Sequence, residues 1–315
     1  IWKYTAAGVL DTSFGGDGTV VHHDAAGGNG QDYGNAITLD ADGSIYVAGQ
    51  SVGIGNDYDM AIWKYTAAGV LDTSFGGDGI VTHHSAAGGS HYDIAYGIAV
   101  DSTGNIYVTG ESYNSSINLD MVIWKYDQDG NLDNTFDNDG IFVYEGVNNQ
   151  GDSGQAIVLD DSNNIFVAGY SNIDHGAPTY SSEDMAIWKF NSNGIPDNTF
   201  SGDGMVAHNG AAGSFLNEHG NDITIDALGN IYVTGFGRSD VISHFDDMVL
   251  WKYTGDGQLD TSFDNDGFLS HHNAAGGDNN DFGNGVAVDN SGNIYVTGES
   301  YNSSLNLDMV IWKYE

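Results

Sequence analysis

A phrase that returns at a nearly fixed period, strand-like runs cut by turn residues, and no helical periodicity together predict an all-β fold. The architecture expected is a β-propeller of five four-stranded repeats, 61 to 64 residues long, plus one extra copy of the last strand. No stretch carries a sustained 3.6-residue apolar period with caps, so almost no helix is expected.

The returning phrase is Ile-Trp-Lys-Tyr. It starts at Ile1, Ile62, Ile123 and Ile311, with variants at Ile187 and Leu250, giving intervals of 61, 61, 64, 63 and 61 residues. Residues 1–18 and 62–79 are identical, as are 105–116 and 293–304, and recent tandem duplication accounts for this. The expected repeats are 1–61, 62–122, 123–186, 187–249 and 250–310, followed by a closing or surplus strand at 311–315, all in one domain spanning 1–315.

Residues 62 to 126 illustrate the elements. Ile80–His83 reads as a first strand after Gly79, and Tyr96–Val100 as a second. Asn105–Gly110 reads as a third, led in by the turn Ser102-Thr103-Gly104. Asp120–Tyr126 reads as a fourth. In that fourth strand Met121, Ile123 and Lys125 share one face, and Val122, Trp124 and Tyr126 the other. Both faces are apolar, as a sheet sandwiched between two neighbours requires. The Trp-bearing strands, with Trp63, Trp124, Trp188 and Trp251, are expected to anchor the core, each large aromatic contributing roughly 1.5–3 kcal/mol. A β-solenoid is the main alternative, but the interval is long for one coil. The length beyond a common 40–45-residue blade is assigned to Gly/Asp/Asn-rich loops at 66–79 and 85–95 and their equivalents.

Composition excludes several functions. The chain has 315 residues, with 44 Asp+Glu against 7 Lys+Arg and a formal charge of −37. Hydrophobics at 40% and aromatics at 12% are enough to build a core, so this is no disordered acidic tail. The charge opposes phosphate-backbone binding, so no nucleic-acid partner is expected. The absence of Cys removes disulfides, thiolate metal sites and a cysteine nucleophile. No apolar run approaches 18 residues, so no membrane span is expected. Without an initiator Met, and with both ends in the same phase of the repeat, the chain is expected to be cut from a longer array. The rival expectation is a surplus terminal strand that adds to another molecule, giving rings or filaments.

The unit resembles the bacterial delta-60 propeller repeat. The matching pieces are Leu71-Asp72-Thr73-Ser74-Phe75-Gly76-Gly77-Asp78-Gly79, then Asp101-Ser102-Thr103-Gly104-Asn105-Ile106-Tyr107-Val108-Thr109-Gly110, then Asp120-Met121-Val122-Ile123-Trp124-Lys125-Tyr126. The resemblance covers the whole chain and implies a propeller that is extracellular or on the bacterial cell surface. It implies no activity.

Six of the seven cations occupy one position per repeat: Lys3, Lys64, Lys125, Lys189, Lys252 and Lys313. A cation this rare is expected to pair with an Asp and to guard an outer strand edge. Asp recurs at five positions per repeat, where turn capping is the ordinary role; the fifth set, Asp32, Asp93, Asp152 and Asp281, is broken in the fourth repeat, where Glu218 lies nearby. The candidate cofactor is Ca²⁺, held by Asp127, Asp129 and Asp133 in Asp127-Gln128-Asp129-Gly130-Asn131-Leu132-Asp133, where oxygens fall at alternate positions. The pairs His22-His23, His83-His84 and His271-His272 put adjacent rings on opposite faces of a strand, which suits a surface cluster better than a metal site.

No enzyme signature is present: Gly-x-Ser-x-Gly, His-Glu-x-x-His and the phosphate-binding loop are all missing. No catalytic residue is therefore assigned, and the expected function is a non-enzymatic structural, adhesive or self-assembling module with cell-surface or self partners. The alternative is a multivalent glycan-binding lectin with a shallow site on each blade. A hydrolase or lyase would need one unrepeated acid–base set, for which Tyr144, Glu145 and the insert at 171–183 are the distinctive places.

Overall fold

Turns led by Asp and Gly fold each strand back on its predecessor, so the sheets grow as antiparallel meanders. The computed structural model describes residues 1–146, 150–173, 182–213, 216–239 and 245–315. They form two compact units, Ile1–Tyr144 and Glu145–Glu315. Among them there is no α-helix, and hence none long and apolar enough to cross a membrane. The all-β propeller fold expected from the repeats is the fold observed.

The first unit holds two four-stranded sheets. One runs β1 (Gly27–Leu39), β2 (Ile45–Gly53), β3 (Tyr58–Tyr65), β4 (Ile80–His83); the other runs β5 (Gly88–Val100), β6 (Ile106–Asn114), β7 (Leu119–Tyr126), β8 (Ile141–Tyr144). The second unit holds three sheets. The third sheet is β9 (Asp152–Leu159), β10 (Ile165–Ile173), β11 (Ser182–Phe190) and β12 (Met205–His208). The fourth is β13 (Glu218–Ile225), β14 (Ile231–Arg238), β15 (Asp246–Tyr253) and β16 (Phe268–His271). The fifth has three strands, β17 (Gly276–Val288), β18 (Ile294–Asn302) and β19 (Leu307–Tyr314).

The partition into sheets differs from the one read along the sequence. Ile80–His83 does not open a sheet with 96–126; it closes the preceding one, pairing with β3 in the register Trp63↔Ile80 and Met60↔His83. The physical reason is the 66–79 loop. A bridge Tyr65↔Leu71 and the bonds Phe75 N–H to Asp72 and Gly79 N–H to Phe75 curl it back beside β3. In the four-stranded sheets the Lys-bearing strand is therefore third, flanked on both sides, and its Lys does not guard an edge; in the three-stranded fifth sheet β19, with Lys313, is the edge strand. At the start of the chain, Trp2 bridges Thr19 and the Ile1 amino group donates to the Val20 carbonyl at 2.8 Å. This copy of the Trp phrase pairs with the segment that follows it.

Within each unit, neighbouring sheets pack on one another through apolar faces. In the first unit Tyr46, Ala48, Met60 and Ile62 join Ala95, Ile98, Val108, Val122 and Trp124 in one cluster. In the second, Met185 and Ile187 pack with Ile223, Val233, Val249 and Trp251. Trp124, Trp188 and Trp251 are among the largest fully buried side chains, and Trp63 is buried with them.

A bulge interrupts each first strand. In β5 the register slips between Ala95 and Gly97, and opposite it a Cβ on Gly110 would stand 1.8 Å from the Ile94 carbonyl oxygen. That approach explains why Thr-Gly or Ala-Gly closes the Tyr-Val or Phe-Val run in the second strand of every sheet. The extra residue of the bulge reaches outward: Asn35 Nδ2 donates to the Ala95 carbonyl of the next sheet, and Asn221 Nδ2 to that of Gly283, both at 2.8 Å.

Candidate functional site

The Lys of each third strand lies over an aromatic ring beside a carboxylate, and at Lys64, Lys125 and Lys189 a second ring completes a cage. Lys64 Nζ lies 5.2 Å from the Tyr46 ring and 5.7 Å from that of Phe75, with Asp72 at 3.5 Å. Lys125 meets Tyr107, Phe136 and Asp133, the last at 2.9 Å. Lys189 pairs with Asp197 at 3.0 Å, Lys252 with Asp260 at 2.9 Å and Lys3 with Asp11 at 3.3 Å. The Asp carboxylates are doubly held. A hydroxyl bond from Ser262 and then the Lys252 ammonium bring Asp260 down to about 2. Lys64 Nζ also donates to the Gln128 carbonyl at 3.2 Å, and Lys189 to that of Gly255, so the cage ties one repeat to the turn of the next. The expected Lys–Asp pairing is there in five copies.

The candidate calcium residues sit in two separate turn networks. Asp127 accepts the backbone N–H of Asp129 and of Asn131, both at 2.9 Å, and the Asn131 carboxamide. Asp133 accepts the Thr135 N–H and hydroxyl besides pairing with Lys125. Asp129 contributes its backbone carbonyl to the Gly76 N–H. A cation at Asp133 would compete with the Lys125 ammonium. Among the described residues no group of three or more His, Asp or Glu side chains is placed to hold a metal.

One recurring Asp set is buried at Asp93, Asp152 and Asp281; Asp93 accepts the N–H groups of Ser85 and Ala86, and burial pushes its carboxyl up. Glu218 fills this position in the fourth sheet, accepting the Ala211 N–H, so the set that reads as broken in sequence is complete in space. The histidines divide as strand geometry requires. His22, His83, His208 and His271 face Trp63, Trp124, Trp251 and Trp312, with ring centroids 6.1 to 6.4 Å apart, while His23, His84 and His272 are exposed. Burial pushes His22 and His83 below the ordinary imidazole range.

Chemistry that is not repeated gathers at the start of the first and third strands. In the first unit four tyrosines form a ribbon across two sheets: Tyr33 to Tyr58 at 6.1 Å, Tyr58 to Tyr92 at 5.3 Å and Tyr92 to Tyr113 at 5.9 Å between ring centroids. Gln31 Oε1 accepts both the Tyr33 hydroxyl, at 2.6 Å, and that of Tyr58, at 3.3 Å. Asn35 donates to Gln50, and Tyr96 to Glu111, close by. Tyr33 and Tyr92 are exposed.

In the second unit the matching positions carry an imidazole–carboxylate pair. His219 stacks on Tyr170 with ring centroids 4.1 Å apart and leans on Phe236 at 4.7 Å. Its Nε2 lies 2.7 Å from Glu183 Oε2, which also accepts the Asn217 carboxamide at 2.7 Å. The bond from His219 holds the Glu183 carboxyl below the usual range, so the carboxylate is ionised and accepts. Arg238 pairs with Asp246 at 3.1 Å. Sequence reading misses both groupings, because their ring and ion-pair partners lie 17 to 49 residues apart at positions where the repeats disagree. The signal available was that disagreement: Tyr33, Ile94, Ser153, His219 and Phe282 occupy one equivalent position. Of the distinctive places read from sequence, Tyr144 pairs with Met121 at the end of β8 and Glu145 is exposed. Residues 174–181 of the insert lie outside the described residues.

Comparison with known proteins agrees with this architecture. A β-propeller repeat family matches residues 87–118 and 274–306. A β-propeller domain of unknown function, DUF5122, matches residues 41–75. No curated protein matches the chain. Among solved structures, a protein of unknown function from Dyadobacter fermentans DSM 18053 is 8% identical with a TM-score of 0.51, over 88% of this chain and 74% of that one. An ulvan lyase, from a new family of polysaccharide lyases, is 12% identical with a TM-score of 0.52, over 88% of this chain and 66% of its own. At such identities the likeness is one of fold alone. The matched segments and the successive antiparallel sheets together support a fold built from β-propeller repeats.

Proposed function

We propose that the chain is a non-enzymatic adhesive module of the bacterial cell surface that holds neutral glycan chains on its tyrosine ribbon. The observation that carries this reading is the run Tyr33, Tyr58, Tyr92 and Tyr113, in ring contact and exposed at Tyr33 and Tyr92, with Gln31 beside it. Aromatic rings offer a flat apolar area to the C–H face of a pyranose, and phenol and carboxamide groups offer hydrogen bonds to its hydroxyls. The formal charge of −37 repels polyanions and so selects neutral chains. The ribbon crosses two sheets only, which argues for one extended site rather than one site per blade.

Titration calorimetry with neutral and uronate-containing oligosaccharides tests this. Neutral chains bind, acidic ones do not, and Tyr92→Ala weakens binding about tenfold, the loss of one stacked ring. Unchanged binding in Tyr33→Ala and Tyr92→Ala, with both variants folded, removes the reading. A second reading, a polysaccharide hydrolase or lyase, is favoured by the unrepeated pair Glu183 and His219. Cleavage of a glycan by the wild type that Glu183→Gln abolishes would establish it.

A further inference from the structure

Internal sheet contacts in the chain follow one pattern. Tyr46, Met60 and Ile62 of the first sheet are buried in a cluster with Ile98 and Val100 of the second. Tyr232, Met248 and Leu250 of the fourth pack in the same way with Val286 and Val288 of the fifth. Within each unit, a face of one aromatic, one Met and one Ile or Leu meets the first strand of the following sheet.

The end sheets carry these side chains uncovered. Met309 and Ile311 are 75% and 60% exposed, whereas Met60, Met121, Met185 and Met248 are fully buried, as are Ile62, Ile123, Ile187 and Leu250. On the first sheet Ile37 and Leu39 are 58% and 61% exposed, whereas Ile98, Ile157, Ile223 and Val286 are buried. Beside Ile37 a groove of about 430 Å³ opens against Val47 and Trp63. Each exposed face is thus the chemical half of a contact the chain makes elsewhere.

We propose that the fifth sheet of one copy docks on the first sheet of a second copy, extending the array head to tail. Met309 and Ile311 then take the place that Met60 and Ile62 hold against Ile98, and Ile37 receives them. Continuity with the internal contact identifies the occupant: the surface that fits the first sheet is a sheet of this same repeat. The contact is heterologous, so it is not self-complementary and the assembly keeps one free face at each end. It is apolar between two strongly acidic bodies. Salt screens their repulsion and leaves the apolar attraction in place, so association strengthens as salt rises. This inference is independent of glycan binding.

Sedimentation velocity of the 315-residue chain across a wide concentration range decides it. The wild type assembles with concentration, and more so in high salt. Ile37→Asp and Ile311→Asp each place a charge in the contact and weaken assembly at least about tenfold. Both positions are exposed, so melting curves match the wild type. Mixed one to one, the two variants form a dimer and nothing larger, since each supplies the face the other has lost. A wild type that stays monomeric at every concentration and salt overturns the proposal. So does assembly of either variant alone to the wild-type extent.

Discussion

Tyr58 and Tyr92 meet ring to ring across the first and second sheets, their centroids 5.3 Å apart, at a junction that recurs elsewhere with other chemistry. At the same place Glu183 accepts the Asn217 carboxamide between the third and fourth sheets, and Asn280 donates to Asp246 between the fourth and fifth. The junction between neighbouring sheets is fixed, while its side chains are free to vary.

This predicts that the two roles of the tyrosines come apart. Tyr58→Glu with Tyr92→Asn installs the latch of the third and fourth sheets. The double variant melts within a few degrees of the wild type but loses glycan binding in calorimetry. Tyr58→Glu alone leaves a carboxylate against a ring and costs about 1–3 kcal/mol by chemical denaturation.

The Lys cages should differ in worth according to solvent. The Lys125 side chain is 7% exposed and that of Lys3 43%. Lys125→Ala strips the partner from Asp133 and opens a gap beside Tyr107 and Phe136; denaturant titration should find a loss of about 2–4 kcal/mol. Lys3→Ala, the same substitution in the same motif, should cost no more than about 1 kcal/mol. Equal costs would show that burial is not what gives the cage its strength.

Burial, with Asp281 and Asp246 nearby, lifts the Asp247 carboxyl to about 6, partly offset by His272. The folded state thus holds this proton more tightly than the unfolded chain, where the group titrates near 3.8. The stability it contributes is present in full below about pH 4 and is lost as pH rises through 6. Asp247→Asn removes that loss. Its melting temperature, relative to wild type, should rise between pH 4 and pH 7, equivalent to roughly 1–2 kcal/mol after discounting for the part of the group that reaches solvent. A flat difference across that window contradicts the assignment.

Gly110 faces the Ile94 carbonyl with no room for a Cβ. Gly110→Ala must push the bulge apart and should destabilise by about 1–3 kcal/mol. Gly77→Ala tests a different cause, since its added methyl meets nothing and only its positive φ resists. The loss there should be about 1 kcal/mol. Two thermal melts compare them.

The fold was legible because strand vocabulary and period both survive duplication. Pairing of Lys64 with Asp72 was legible too, since one cation per repeat among so many carboxylates leaves little choice. The grouping of strands was not. A period looks the same from any starting point, so nothing in the run 62–126 told whether Ile80 opens a sheet or closes one. The answer lay in the 66–79 loop, whose Tyr65–Leu71 bridge decides the return path. The tyrosine ribbon and the Glu183–His219 pair were hidden for the opposite reason, since they occupy positions where the repeats differ and only folding brings them together.

Neighbouring modules are also joined by backbone alone: Gly15 N–H to Ala68, Gly76 N–H to Asp129 and Ser201 N–H to Asp256, at 2.8 to 2.9 Å. Such a handshake is indifferent to side-chain identity. A stretch of DNA copied twice inserts a module that greets both neighbours correctly from the first generation, before any mutation has tuned it. Lengthening by whole modules is therefore an inexpensive evolutionary step for this chain, and drift can then fit each new copy with its own surface.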